Sequence, residues 1–378
     1  MKIEQHKVVI IGAGPAGLAC AGTLTQRGIP YVLLEKDSQV AASWRGHYDR
    51  LRLHTDKRYS HLPGMEFPPH YPTFVSRRQL IDYYETYVRR YSIVPKFLTE
   101  INCVERLEES WKIQTKDTIY TAPHVIVATG ANRVPVVPDF PGRADFAGLW
   151  MHSRHYRNPL PFKNLKTLVI GMGNTGAEIA LDLAEHGVDT TLCVRSPINI
   201  VPLTFNGRPT QRTGILLRKL PNFIGDTLGK FVQRRTIGDL SAFGIETPAL
   251  PPSRQLRELG KTPVIDLGTV AKIRSGEITV VPGIRKIHPR RIDFDNGQAV
   301  DFDAVVVATG YRADLHRFLT LPPEYFDVHG LPKRTIGTDE ANGLYFVGFD
   351  LYANGVLRSI YQESQVVAQR IEQKRSTV

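Results

Sequence analysis

Two glycine-rich loops lie far apart in this chain, each following a run of apolar residues and each opening a helix-like stretch. The first, Val8–Gly17, reads VVIIGAGPAG; the second, Thr167–Gly176, reads TLVIGMGNTG. A lone G-x-G-x-x-G is weak evidence, but two in this context predict two dinucleotide-binding βαβ units in one chain. In the first, Val8–Ile11 is expected as a buried parallel strand, Leu18–Arg27 as a helix and Tyr31–Leu34 as the next strand, ending at Glu35. Gly12 permits a tight turn, Gly14 lets the backbone approach a pyrophosphate, and Gly17 lets helix and strand close up. Between them stand Pro15 and Ala16, and the helix N-terminus turns its partial positive charge to the phosphates. Glu35, followed by Lys36, stands where a carboxylate accepts from ribose hydroxyls.

The second unit repeats the plan and ends differently. Leu168–Ile170 is the expected strand, Gly171, Gly173 and Gly176 the loop with Asn174 and Thr175 inside it, and Ala177–His186 the helix. The following strand, Thr190–Val194, finishes in Arg195-Ser196 with no acid. A cation and a hydroxyl there suit a 2′-phosphate, which a carboxylate would repel. The contrast between Glu35 and Arg195 orders the nucleotides, FAD at the first loop and NADPH at the second. The fold class is therefore α/β, a two-domain flavoprotein with two Rossmann-like domains binding FAD and NAD(P).

Composition narrows the class further. The 42% hydrophobic and 22% charged content of the 378 residues is that of a globular protein, not a disordered one. The net charge of +11 is scattered, without a block of like charges, so no nucleic-acid partner is expected and attraction of anionic nucleotides or substrates accounts for it. Cys20, Cys103 and Cys193 are too far apart for a Cys-x-x-Cys redox pair, and they fit a reducing cytoplasm. No leader precedes the first strand, no apolar run is long enough to span a membrane, and the polar tail after Gln365 carries no anchor. A soluble cytoplasmic protein is expected.

Two further phrases are alike, VIVATG at Val125–Gly130 and VVVATGY at Val305–Tyr311. They place domain boundaries near residues 160 and 300. Residues 1–160 with 300–378 then form a discontinuous FAD-binding domain, and 161–299 an NADPH-binding domain with an insertion around 200–260. GLYFVG at Gly343–Gly348 is the last expected strand. Leu357–Gln373 is the last helix, its N-terminus near Asn354-Gly355 able to stabilise negative charge on a flavin. Within the insertion, Leu216, Leu217, Leu220, Ile224, Leu228 and Phe231 recur at helical spacing among Arg218, Lys219, Lys230, Arg234 and Arg235. Such a basic amphipathic stretch suits a membrane surface, but a core-facing stripe that covers a substrate channel is the favoured expectation.

Between the loops, Phe146-x-Gly148-x-x-x-His152-x-x-x-Tyr156 resembles the identifying motif of flavin-containing monooxygenases. The resemblance runs over nearly the whole chain. ASWR at Ala42–Arg45 resembles the flavin-contacting turn, so Trp44 and Arg45 join the implied cofactor contacts, with Thr129 in the first ATG turn. PPHYPTFVSRR at Pro68–Arg78 resembles the stretch leading to the next helix. Tyr48–His54 (YDRLRLH), Gly260–Gly268 (GKTPVIDLG) and Ile273–Ile278 (IRSGEI) look like the YUCCA branch, plant enzymes that convert indole-3-pyruvate to indole-3-acetic acid. Baeyer–Villiger members end the linker motif in Trp-Pro, where this chain has Tyr156-Arg157. His54 stands where many amine- and sulfide-oxidising members carry Asn; it is the candidate catalytic residue, as a hydrogen-bond donor, or else a neutral core histidine. The stretch Gly348–Gly355 (GFDLYANG) differs from the plant enzymes and points to a substrate of its own.

The resemblance implies that NADPH reduces FAD and that the reduced flavin takes up O2 as a C4a-(hydro)peroxide, passing one atom to a small organic substrate. His152 and Tyr156 would couple the two domains. The implied substrate is a 2-oxo acid such as indole-3-pyruvate, with amines or sulfides as the alternative and a quinone-type flavin reductase the remoter one. A pyridine nucleotide–disulfide reductase would need paired cysteines near the flavin. No metal is called for, and the oligomeric state stays open, a homodimer being one candidate.

Overall fold

The structure, a computed structural model, describes residues 1–217, 220–350 and 355–373. The chain divides into two compact units: Met1–Gly46, Thr55–Val134 and Tyr311 onward form the first, His47–His54 and Pro135–Gly310 the second. The divisions thus follow residues 134 and 310, not 160 and 300. The reason lies in the sheets, because each ATG phrase ends a strand of its own unit and the chain leaves soon afterwards. Leu149–His152, expected in the first domain, pairs in parallel with Ala304–Val307 in the sheet of the second.

The first unit is built on a five-stranded parallel sheet in the order Leu344–Phe346, His124–Val127, Val8–Ile11, Val32–Leu34, Pro95–Lys96. All four residues of Val8–Ile11 are buried, as expected of a strand covered on both faces. The helix Pro15–Gln26 starts three residues earlier than Leu18, because Gly14 caps it in an extended conformation and Pro15 brings a helical φ to its first turn. It packs against the last helix, Val356–Gln373. A four-stranded sheet, Lys2–Gln5, Thr118–Ala122, Trp111–Gln114 and Cys103–Arg106, completes the unit, with Trp111 fully buried. Asn354, expected near the start of the last helix, lies outside the described residues.

The second unit repeats the order of four of these strands, with an edge strand that enters first rather than last. Its parallel sheet runs Leu149–His152, Ala304–Val307, Thr167–Ile170, Thr190–Cys193, Ile278–Val281. The helix Asn174–Glu185 follows the glycine loop, again starting early behind a capping glycine, Gly173. A hairpin layer, Ile284–Ile287, Arg291–Phe294 and Ala299–Asp301, follows the last edge strand.

The insertion contains the helices Thr210–Leu217, Asn222–Thr236 and Pro252–Leu259, with short strands ahead of them. Its apolar stripe does not face the core. Leu216, Leu220, Ile224, Leu228 and Phe231 are exposed and Leu217 is half-buried, whereas Gly225 and Gln233 are the residues that helix Asn222–Thr236 buries. Arg218 and Lys219 lie outside the described residues.

Candidate functional site

The two glycine loops have the same internal architecture, and the repeated ATG phrases explain why. At Gly12 the backbone takes φ +103°, and a Cβ there would sit 2.8 Å from the carbonyl oxygen of Ala128. At Gly171 φ is +99°, and a Cβ would sit 2.9 Å from the carbonyl oxygen of Ala308. Three turns of logic are shared: the ATG strand end presses on the first glycine, the first glycine presses on the third, and the middle one stays open. A Cβ on Gly17 would lie 1.8 Å from the Gly12 oxygen, and one on Gly176 1.9 Å from the Gly171 oxygen. On Gly14 or Gly173 it would meet nothing within 4 Å. Those two open positions, each capping a helix, leave room for a phosphate to reach backbone N–H groups.

Around the first loop, Glu35 is buried at the end of Val32–Leu34. Its Oε2 accepts from the Ala13 N–H at 2.5 Å and its Oε1 from the Asp37 N–H at 3.0 Å. A carboxylate so anchored keeps lone pairs for ribose hydroxyls. The Thr129 hydroxyl oxygen is buried without a hydrogen-bond partner, so a ligand donor or acceptor fits there. Ala16 is buried and Lys36 exposed. Trp44 and Arg45 close the short helix Ala42–Arg45; the Arg45 Nη2 meets Glu85 at 2.5 Å while Arg77 donates to the Arg45 carbonyl. Arg45 therefore holds the turn, and Trp44 beside it is half-buried.

Around the second loop, Asn174 is committed to the protein. Its Oδ1 accepts from the Ile265 N–H at 2.7 Å and its Nδ2 donates to the Pro263 carbonyl, which ties the loop to the Gly260–Gly268 phrase. Thr175 is half-buried, and Arg195 and Ser196 are exposed beyond Thr190–Cys193. Sequence reasoning missed an acid there, Asp295. A Cβ on Gly283 would lie 2.2 Å from Asp295 Oδ2 and 3.4 Å from Arg195 Cγ, so the Asp295 carboxylate and the stem of Arg195 flank one point. Both act on Cys193, whose thiol is pushed up to about 12 chiefly by burial and further by Asp295, with Arg195 opposing.

The linker motif lies wholly in the second unit. His152 accepts from the Arg154 N–H through Nδ1 at 3.1 Å, and burial, the largest influence on it, holds its pKa below the usual histidine value. Tyr156 is 1% exposed, and its hydroxyl donates to Asp182 Oδ2 at 2.7 Å. Both side chains brace the unit internally. Asp182 also meets Arg50 Nη1 at 3.4 Å, and Arg50 reaches Glu185 at 2.8 Å. His54 Nε2 lies 2.6 Å from Glu178 Oε1, with both side chains largely buried. His54 is thus neither isolated in an apolar core nor free: it faces a buried carboxylate. Glu178, Asp182 and Glu185, at helical spacing on Asn174–Glu185, form an acidic ladder that receives the segment His47–His54. Their i, i+4, i+7 spacing was visible in the sequence, but the partners Arg50 and His54 lie more than a hundred residues away along the chain.

Among the described residues no helix is long and apolar enough to cross a membrane. All three cysteines are free, Cys20 and Cys193 being buried, which leaves no thiol pair for disulfide exchange.

A family profile described as pyridine nucleotide-disulphide oxidoreductase matches residues 9–201. The chain is 37% identical over 352 residues to the probable indole-3-pyruvate monooxygenase YUCCA9 of Arabidopsis thaliana, covering 90% of this chain and 83% of that protein. Among solved structures it superposes on a flavin-containing monooxygenase from Stenotrophomonas maltophilia with a TM-score of 0.75 at 19% identity, covering 98% and 99% of the two chains. A cyclohexanone monooxygenase from Rhodococcus sp. Phi1 bound to NADP+ gives 0.77 at 18% identity, over 99% and 85%.

Proposed function

The chain belongs to the flavin-containing monooxygenase family, in its YUCCA-like branch, and is an NADPH-dependent flavin monooxygenase; from that premise we propose that its flavin is FAD and its substrate a 2-oxo acid of the indole-3-pyruvate type. The contrast between the strand ends carries the cofactor assignment: buried Glu35 beside the first loop, exposed Arg195 beside the second. The substrate class rests on the relative named for indole-3-pyruvate, and the net charge of +11 suits an acid.

FAD would be held by the Gly12–Gly17 loop, with Glu35 accepting from a ribose hydroxyl and Thr129 supplying a further hydrogen bond. NADPH would be held by the Gly171–Gly176 loop, with Arg195 and Ser196 at the 2′-phosphate. When bound, the flavin supplies hydride acceptance and O2 activation; the protein supplies binding, orientation and exclusion of water. The overall balance converts the 2-oxo acid, O2, NADPH and a proton into the shortened carboxylate, CO2, NADP+ and water. His54 is the proposed catalytic residue, with the buried Glu178 carboxylate beside its ring. The insertion around 200–260 is proposed to cover the route taken by substrate.

Turnover of indole-3-pyruvate with NADPH under heavy-isotope O2 tests this. Indole-3-acetate carrying one heavy oxygen, formed in step with NADPH loss, is expected. Stoichiometric hydrogen peroxide whatever acid is supplied would sink the oxygenase assignment, and oxygenation confined to amines or sulfides would sink the substrate.

A further inference from the structure

Helix Asn222–Thr236 is built inside out. Its helical period gathers Phe223, Ile224, Thr227, Leu228 and Phe231 on one side, and that side faces solvent: Phe223 is 72% exposed, Phe231 62%, Leu228 42% and Ile224 36%. The opposite side carries Gly225, Asp226, Gly229 and Gln233 and packs on its own unit. Polar bonds lock that rotation. Asp226 takes two bonds from Arg257, at 3.0 and 2.9 Å, and a third from Ser253 at 2.6 Å. Gln233 Nε2 donates to Asn199 Oδ1 at 3.0 Å inside the unit. Rolling the phenylalanines inward would break these bonds and push large rings against the close neighbours of Gly225, where a Cβ would already stand 3.2 Å from the Leu217 carbonyl. The exposure is therefore a fixed property of the helix. Leu216 and Leu220, just upstream, are exposed as well.

Cations complete the face. Lys230 stands just before Phe231, Arg234 and Arg235 follow in the last turn, and the face carries no acid. Neighbouring acids are engaged elsewhere: Asp226 with Arg257, Glu258 with Arg254 across one helical turn, and Asp239 with the N–H and hydroxyl of Ser241. A second copy docked on this face would bury like charges with no carboxylate to neutralise them. An anionic bilayer surface meets both halves of the pattern, the rings entering the acyl boundary and the cations meeting phosphate headgroups. We propose that the outer face of Asn222–Thr236 rests on an anionic phospholipid surface, making the protein a peripheral membrane enzyme.

Vesicle flotation of the flavin-loaded full chain tests this, with phosphatidylcholine alone against phosphatidylcholine mixed with phosphatidylglycerol. Binding to the anionic vesicles, roughly tenfold or more weaker on neutral ones and weakened by salt, is expected. Phe223→Ser with Phe231→Ser should abolish flotation, and Arg234→Gln with Arg235→Gln should remove most of the preference for anionic lipid. Flavin content and thermal melting serve as folding controls, and both pairs lie on the solvent side. Equal flotation of wild type and the phenylalanine variant would overturn the proposal. So would absence of flotation with a concentration-dependent dimer in sedimentation velocity, since that result assigns the face to a second copy.

Discussion

The hydroxyl of Tyr156 donates to Asp182 at 2.7 Å, which joins the last residue of the linker motif to the helix that opens from the second glycine loop. Asp182 is 4% exposed, and a carboxylate that deep needs its partners. Tyr156→Phe removes one of them and should lower stability by about 1–3 kcal/mol. Urea unfolding measures the loss. Combining it with Asp182→Asn should cost less than the sum of the single changes, because the two report one bond.

His54 and Glu178 form the second rung of the same ladder. Removing the imidazole leaves Glu178, 3% exposed, without its 2.6 Å partner. His54→Leu is expected to destabilise the fold by leaving the buried Glu178 carboxylate alone, with His54→Leu/Glu178→Leu recovering a large part of the loss. If the double variant is no more stable than the single one, the pair is not the source of the cost.

The side chains of Arg195 and Asp295 flank Gly283 and carry opposite charge, so they should act on a 2′-phosphate with opposite sign. Arg195→Gln is expected to weaken binding of 2′,5′-ADP by about 1–3 kcal/mol while leaving 5′-ADP nearly unchanged. Asp295→Asn should strengthen it, by on the order of 0.5 kcal/mol because both groups are exposed and screened. Calorimetry on the full chain reads both. An Asp295 variant that weakens 2′,5′-ADP would reverse the assigned sign.

Gly14 and Gly17 should part company on substitution. Alanine at Gly17 drives its Cβ into the Gly12 oxygen and should disrupt the fold of the first unit. Alanine at Gly14 meets only open space, so the chain should fold but purify with little flavin absorbance. Full flavin loading in Gly14→Ala would mean that no phosphate approaches this point.

Glu363 is mostly buried, and burial raises its pKa even though Gly348 N–H and Thr335 donate to it. Between the ordinary carboxyl value and that raised one, the folded chain keeps a proton that the unfolded chain releases. Stability associated with Glu363 should therefore fall as pH rises through that window. Glu363→Gln should flatten this slope, as urea melts across the weakly acidic range will reveal.

How much of this was legible beforehand differs by residue. Gly12, Gly14 and Gly17 could be assigned from the sequence because their requirements are local: a positive φ, a close approach, an open cap. The same holds for their counterparts in the second loop and for the strands around them, whose buried runs read directly as β. The paired ATG phrases were visible as well, but not their job. Only the structure shows Ala128 and Ala308 pressing on Gly12 and Gly171, and it moves the unit boundaries to just beyond those turns.

The contacts that brace the second unit were not legible. Glu178 and Asp182 lie on the helix that follows the second loop, and nothing local shows their partners, because His54, Arg50 and Tyr156 come from other segments. Asp295 escaped notice because a hairpin outside the βαβ unit carries it to Arg195. The stripe at 216–231 has the spacing of a core face, yet Asp226 and Gln233 turn the helix the other way. Sequence alone determined which backbone shapes recur and hence the two-nucleotide plan, because a turn or a strand depends on residues adjacent in the chain. Tertiary structure decided which charges are paired and which apolar face stays outside, because burial and ion pairing depend on what folding brings alongside.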